Sequence, residues 1–135
     1  IWVGTSAAES ILSAKEKCKN NEIIIVDRGL IDYQFWVYYY FKKGKCSKQE
    51  AEEALSMDIF TNKKLLPDLF IGMTTSVKEA IKRSRSKNNT VSLEFHNKTF
   101  VDFFETIKVP KYLLDTTHLS PEDTTKKILE LIEIH

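Results

Sequence analysis

The stretch Ile23-Ile24-Ile25-Val26-Asp27-Arg28 decides how the chain is read. Four β-branched residues in a row, without polar alternation, form the pattern of a strand buried on both faces, as in a parallel sheet. Asp27 and Arg28 then stand just past its carboxyl end. Two further runs have the same form. Leu69-Phe70-Ile71 follows Pro67-Asp68 and closes at Gly72, and Tyr112-Leu113-Leu114 follows Val109-Pro110 and leads into Asp115. Each predicts a strand followed by a polar turn.

Helix starts lie between these runs. Ser followed three positions later by an acid occurs at Ser6/Glu9, Ser47/Glu50, Ser76/Glu79 and Ser120/Asp123, and Pro121 suits a first helical position. Leu93, Phe100, Phe103, Phe104 and Ile107 lie along one apolar stripe at helical spacing. In the last helix Ile128, Leu131 and Ile132 are the expected buried residues. The predicted order is helix, strand, helix pair, strand, two helices, strand, helix. Strands alternating with helices imply parallel strands with helices on both sheet faces, in one domain spanning residues 1–135.

Composition narrows the function classes. With 42% hydrophobic and 29% charged residues the chain has an ordinary globular mix, so a disordered tail or collagen-like rod is excluded. A formal charge of +1 argues against binding nucleic acid polymers by bulk electrostatics. No apolar run reaches the ~20 residues of a membrane span. Cys18 and Cys46 make neither a disulfide framework nor a zinc site, and His96, His118 and His135 are too scattered in sequence to suggest a metal site. A cytoplasmic protein is the expectation.

In open parallel sheets the working residues lie beyond the carboxyl ends of the strands. Those positions hold Asp27-Arg28-Gly29, then Thr74-Thr75-Ser76, then Asp115-Thr116-Thr117-His118. Of 20 basic residues only Arg28, Arg83 and Arg85 are arginine. Lysine serves the surface elsewhere, so arginine at these few places points to a planar fork gripping a carboxylate or phosphate. Arg83 and Arg85, two apart, cannot share a helix face, and Arg83 is the better candidate.

In order and spacing these segments resemble the thymidylate kinase and deoxynucleoside kinase group of P-loop phosphotransferases. Ile23–Arg28 resembles their strand ending in Asp-Arg, and Pro67-Asp68-Leu-Phe-Ile-Gly-Met their next strand. Ser76 to Arg85 resembles the helix entering their lid, and Leu93 to Phe104 the helix leaving it. Tyr112 to Glu122 resembles the last strand, the adenine-side turn and the final helix. The resemblance implies a three-layer α/β/α fold of P-loop type. It implies ATP and Mg2+ as cofactors, with a nucleoside, nucleoside monophosphate or similar small molecule as phosphate acceptor. Asp27 would help hold magnesium. Arg28 would contact the acceptor near the transferred group, and Arg83 would stabilise charge on that group with Arg85 or Lys87 assisting. Thr117, His118 and Leu119 would lie against adenine. Tyr33, Gln34 and Trp36 could line the acceptor site, or belong to an aromatic helix that simply packs.

The sequence departs from that group in three places. It contains no G-x-x-x-x-G-K-[ST] phosphate loop: Gly44-Lys45-Cys46 has Tyr39 where the earlier glycine belongs and follows a predicted helix. The lid segment Lys87–Ser92 is short and lacks Asp-Arg, and Gly29 stands where Tyr or Ser is usual. With Ile1 as first residue, the expectation is the C-terminal portion of a longer kinase, lacking the first strand and phosphate loop and inactive by itself. A homodimer is compatible with this reading. The competing expectation is a non-catalytic α/β module of flavodoxin or receiver type.

Overall fold

The computed structural model describes residues 2–19, 22–84 and 90–135. They gather into two compact units, Ile1–Leu66 and Pro67–His135.

The first unit is helical. It contains α1 (Trp2–Lys17), α2 (Leu30–Lys42), α3 (Lys48–Leu55), α4 (Asp58–Thr61) and a 3-10 turn at Lys63–Leu65. Ala8 and Ile11 of α1, Leu30 of α2 and Leu65 form its core, with Tyr33, Ile59 and Phe60 packed against them. Along α2 the buried residues Ile31, Phe35 and Tyr39 recur every four positions, one stripe of an α-helix. The helix ends at Gly44, whose φ of 68° only glycine adopts without strain. The Gly44 N–H bonds the Phe41 carbonyl and the Lys45 N–H bonds that of Tyr40, a Schellman closure. Gly44 of the Gly44-Lys45-Cys46 run is thus a helix terminator. At Ser47 a complete capping box opens α3, with Glu50 N–H on Ser47 Oγ and Ser47 N–H on Glu50 Oε2.

Two expectations fail here. Residues 23–26 form no strand. Ile23, Ile25 and Val26 are 67%, 77% and 47% exposed. β-Branched residues favour a strand only where a neighbour supplies hydrogen bonds and cover, and no strand lies in this unit among the described residues. Ser6 does not start a helix either, because α1 already runs from Trp2 and carries Ser6 in its interior.

The second unit holds the sheet. β1 (Phe70–Thr74) pairs in parallel with β2 (Lys111–Asp115), in the register Phe70↔Lys111 to Thr74↔Asp115. Between them run α5 (Val77–Arg83) and α6 (Thr90–Thr106), and α7 (Pro121–Ile134) follows. This is a mixed, mostly helical architecture with a two-stranded parallel sheet among the described residues, one strand fewer than expected. Gly72 lets α6 approach the sheet closely: a Cβ there would lie 3.1 Å from both Phe100 Cζ and Phe104 Cδ2. Phe103 and Phe104 are buried, as the stripe predicts. On α7 the expected buried residues Ile128, Leu131 and Ile132 are only half-buried. No helix among the described residues is long and apolar enough to cross a membrane.

Candidate functional site at the strand ends

The parallel register brings Thr74 and Asp115 to the same end of the sheet. Beyond it, Thr116 continues the ladder by donating both its N–H (2.8 Å) and its hydroxyl (2.9 Å) to the Thr74 carbonyl. Thr117 turns back. Its N–H (2.9 Å) and hydroxyl (2.6 Å) both donate to Asp115 Oδ1, while that hydroxyl accepts the Ser76 N–H at 2.9 Å. The loop after β1 and the turn after β2 are therefore joined through one threonine. These two donors, the hydroxyl first, hold the Asp115 carboxyl below the ordinary carboxylate range, and His118 adds a smaller effect of the same sign.

Arg83, the last residue of α5, closes the turn from the other side. Its Nε donates to Glu79 Oε1 at 2.9 Å, and Nη2 meets the carbonyls of Thr116 (2.9 Å), Thr117 (3.4 Å) and Leu119 (3.3 Å). Ser76 caps α5 and Ser120 caps α7, each accepting the N–H three residues on, so both loops end in ordered helix starts. An open depression of about 450 Å3 lies at this edge, lined in part by Thr74, Thr75, Asp115, Thr117, Asn97 and Asp102. Asn97 of α6 donates to the Thr75 carbonyl at 2.9 Å, and the enclosed Thr75 hydroxyl has no partner among the described residues. The arrangement offers hydroxyl groups and an ionised carboxylate to a polar ligand over the carboxyl edge, the usual ligand position in parallel α/β sheets.

The residues expected to act together thus divide by unit. Arg83, Thr117 and Leu119 are in contact in the second unit, with His118 exposed at the tip of the same turn. Asp27, Arg28, Tyr33, Gln34 and Trp36 belong to the first. Asp27 and Arg28 form an exposed turn ahead of α2, and Arg28 has φ 55°. That left-handed conformation costs a non-glycine residue roughly 1 kcal/mol. The neighbouring Gly29 could adopt it freely, yet sits at φ −74°. Tyr33 packs on the core, and the Gln34 amide donates to the Phe60 carbonyl at 3.3 Å. Trp36 meets Tyr39 edge-on, with ring centroids 5.3 Å apart, and Phe35 at a tilt, 5.5 Å away. Arg85 and Lys87 lie outside the described residues.

Sequence reasoning missed Glu79 as the partner that orients Arg83, and Asn97 as the α6 residue that reaches the site. The i,i+4 spacing of Glu79 and Arg83 was the available signal for the first. Nothing local marks Asn97. Among the described residues no group of three or more His, Cys, Asp and Glu is placed to hold a metal ion. Asp27 stands as an exposed carboxylate in the turn ahead of α2.

Compared with protein-family models, curated proteins and solved structures, the chain matches none.

Proposed function

We propose that the protein acts as an ATP-dependent phosphotransferase on a nucleoside, nucleoside monophosphate or similar small acceptor, within a P-loop-like three-layer fold. The observation that carries this reading is the hydrogen-bonded platform at the carboxyl ends of β1 and β2, where Arg83 and Thr117 tie together the two loops. In this reading the turn at Thr117, His118 and Leu119 receives the adenine. Within the first unit, the strain left on Arg28 beside a relaxed glycine agrees with a functional role for the Asp27-Arg28 turn. Magnesium bound with ATP would supply charge neutralisation of the phosphates, and by the resemblance Asp27 would help hold it. Positioning and electrostatics account for the chemistry, since phosphoryl transfer asks for little covalent help from the protein.

The test is ADP release by the protein expressed from its complete coding sequence, with magnesium and a panel of nucleosides and nucleoside monophosphates. Turnover with at least one acceptor is expected, falling about 100-fold in Arg28→Ala. No turnover with any acceptor overturns the reading. One observation favours the alternative, a non-catalytic flavodoxin-like or receiver-like module: these 135 residues contain no G-x-x-x-x-G-K-[ST]. That alternative predicts no ATP affinity at all.

A further inference from the structure

The two capping sequences Ser47/Glu50 and Ser76/Glu79 have the same spacing but different hydrogen-bond wiring. At Ser47 the box is closed on itself, with the Glu50 carboxylate accepting the Ser47 N–H at 2.7 Å. At Ser76 only half of the box is made: the Glu79 N–H donates to Ser76 Oγ at 3.3 Å. The Ser76 N–H goes instead to Thr117 Oγ1, forty-one residues along the chain. The Glu79 carboxylate is thereby released from local capping and takes Arg83 on Oε1 (2.9 Å) and Lys82 on Oε2 (3.7 Å).

Much of the Arg83 guanidinium is employed by this arrangement, although its side chain is 42% exposed. Nε is on Glu79, Nη1 reaches Thr116 Oγ1 at 3.5 Å, and Nη2 sits where three carbonyls converge. A guanidinium can do this because its donors are spread over a rigid plane, whereas an ammonium is a compact point charge. To grip a phosphoryl group with both Nη atoms, Arg83 would first have to leave these carbonyls. We propose that Arg83 is a positioning residue and not the grip on the transferred phosphoryl group, and that Glu79 orients it, the pair presetting the 116–119 turn as the edge that receives the base of ATP. The inference rests on the phosphotransferase reading for the identity of the ligand. The clamp itself rests on geometry alone.

Two measurements keep these apart. In the 135-residue chain, amide hydrogen exchange at Ser76 and Thr117 should quicken about tenfold or more in Arg83→Lys and in Glu79→Gln. Exchange in β1 should stay unchanged, and Glu50→Gln serves as the control that leaves the turn unaffected. In the protein from the complete coding sequence, both variants should raise the KM for ATP about tenfold while kcat stays within about twofold. Wild-type exchange in Arg83→Lys would overturn the clamp. A kcat about 100-fold lower at unchanged KM would return Arg83 to the phosphoryl group. If the unsubstituted protein turns over no ATP, the nucleotide assignment falls, and the exchange data alone decide whether Glu79 and Arg83 hold the turn.

Discussion

Residues 23–28 and 112–117 are written alike, Ile-Ile-Ile-Val-Asp-Arg against Tyr-Leu-Leu-Asp-Thr-Thr, yet only the second forms a strand. β2 has β1 beside it, five registered pairs, and a turn held by Thr117 and Arg83. Residues 23–26 have none of these, although their β-propensity is the higher of the two. An apolar run followed by Asp therefore encodes the capacity to be a strand. The neighbour decides whether that capacity is used, because a strand's N–H and C=O groups gain nothing from extension alone.

The comparison can be broken most severely by damaging the partner of β2. Gly72→Val would drive side-chain atoms into Phe100 and Phe104, already only 3.1 Å from a bare Cβ. A loss of about 3 kcal/mol in the Pro67–His135 unit is expected from such overpacking. Urea denaturation followed by circular dichroism measures it, and β2 should then come to resemble residues 23–26.

A smaller effect is expected from Thr117→Val, which keeps the shape of the side chain but removes the hydroxyl shared by Asp115 and the Ser76 N–H. Loss of these bonds should destabilise the unit by about 1 kcal/mol. Its pH dependence sharpens the point. The Asp115 carboxyl titrates below its ordinary 3.8 in the folded chain, so its stabilising contribution is present above that value. The contribution is lost as pH falls through the lower, folded value. Glu50 in the first unit behaves with the same sign, owing to the Ser47 backbone N–H. Thr117→Val should therefore flatten the acid-side loss belonging to the second unit and leave that of Glu50 intact. Chemical denaturation between pH 2 and 6 would check this; an unchanged acid limb would disprove the Thr117–Asp115 account.

The smallest effect has the opposite direction. Arg28→Gly relieves the left-handed conformation at φ 55° and should stabilise the first unit by about 0.5 kcal/mol after the entropy cost of glycine. A more stable variant that also loses phosphotransfer would mark Arg28 as strained for function. A less stable one would mean that its side chain serves the fold.

Much of this was legible locally. Ser47, Ser76 and Ser120 cap their helices where the Ser-x-x-acid spacing puts them, since the hydroxyl and the N–H it accepts are three residues apart. β1 and β2 appear where their apolar runs lie. Ser6 misled because the residues before it are already helical, and spacing alone cannot report what precedes it. Spacing alone leaves Tyr33 and Gln34 open to acceptor contact or packing, while their contacts with the core and the Phe60 carbonyl are visible only in the fold. Arg83 was legible as a distinctive cation, but its carbonyl partners, more than thirty residues away, were not.

By itself the amino-acid sequence determined the short-range features: caps, helix stripes, the glycine that ends α2, and the apolar runs able to enter a sheet. Each depends on groups within a few residues of one another, so composition and spacing suffice. Only the tertiary structure decided which run became a strand, which capping box opened to build the strand-end platform, and where the Arg83 guanidinium went. Those outcomes depend on hydrogen-bond partners brought close by folding, and sequence distance carries no record of them.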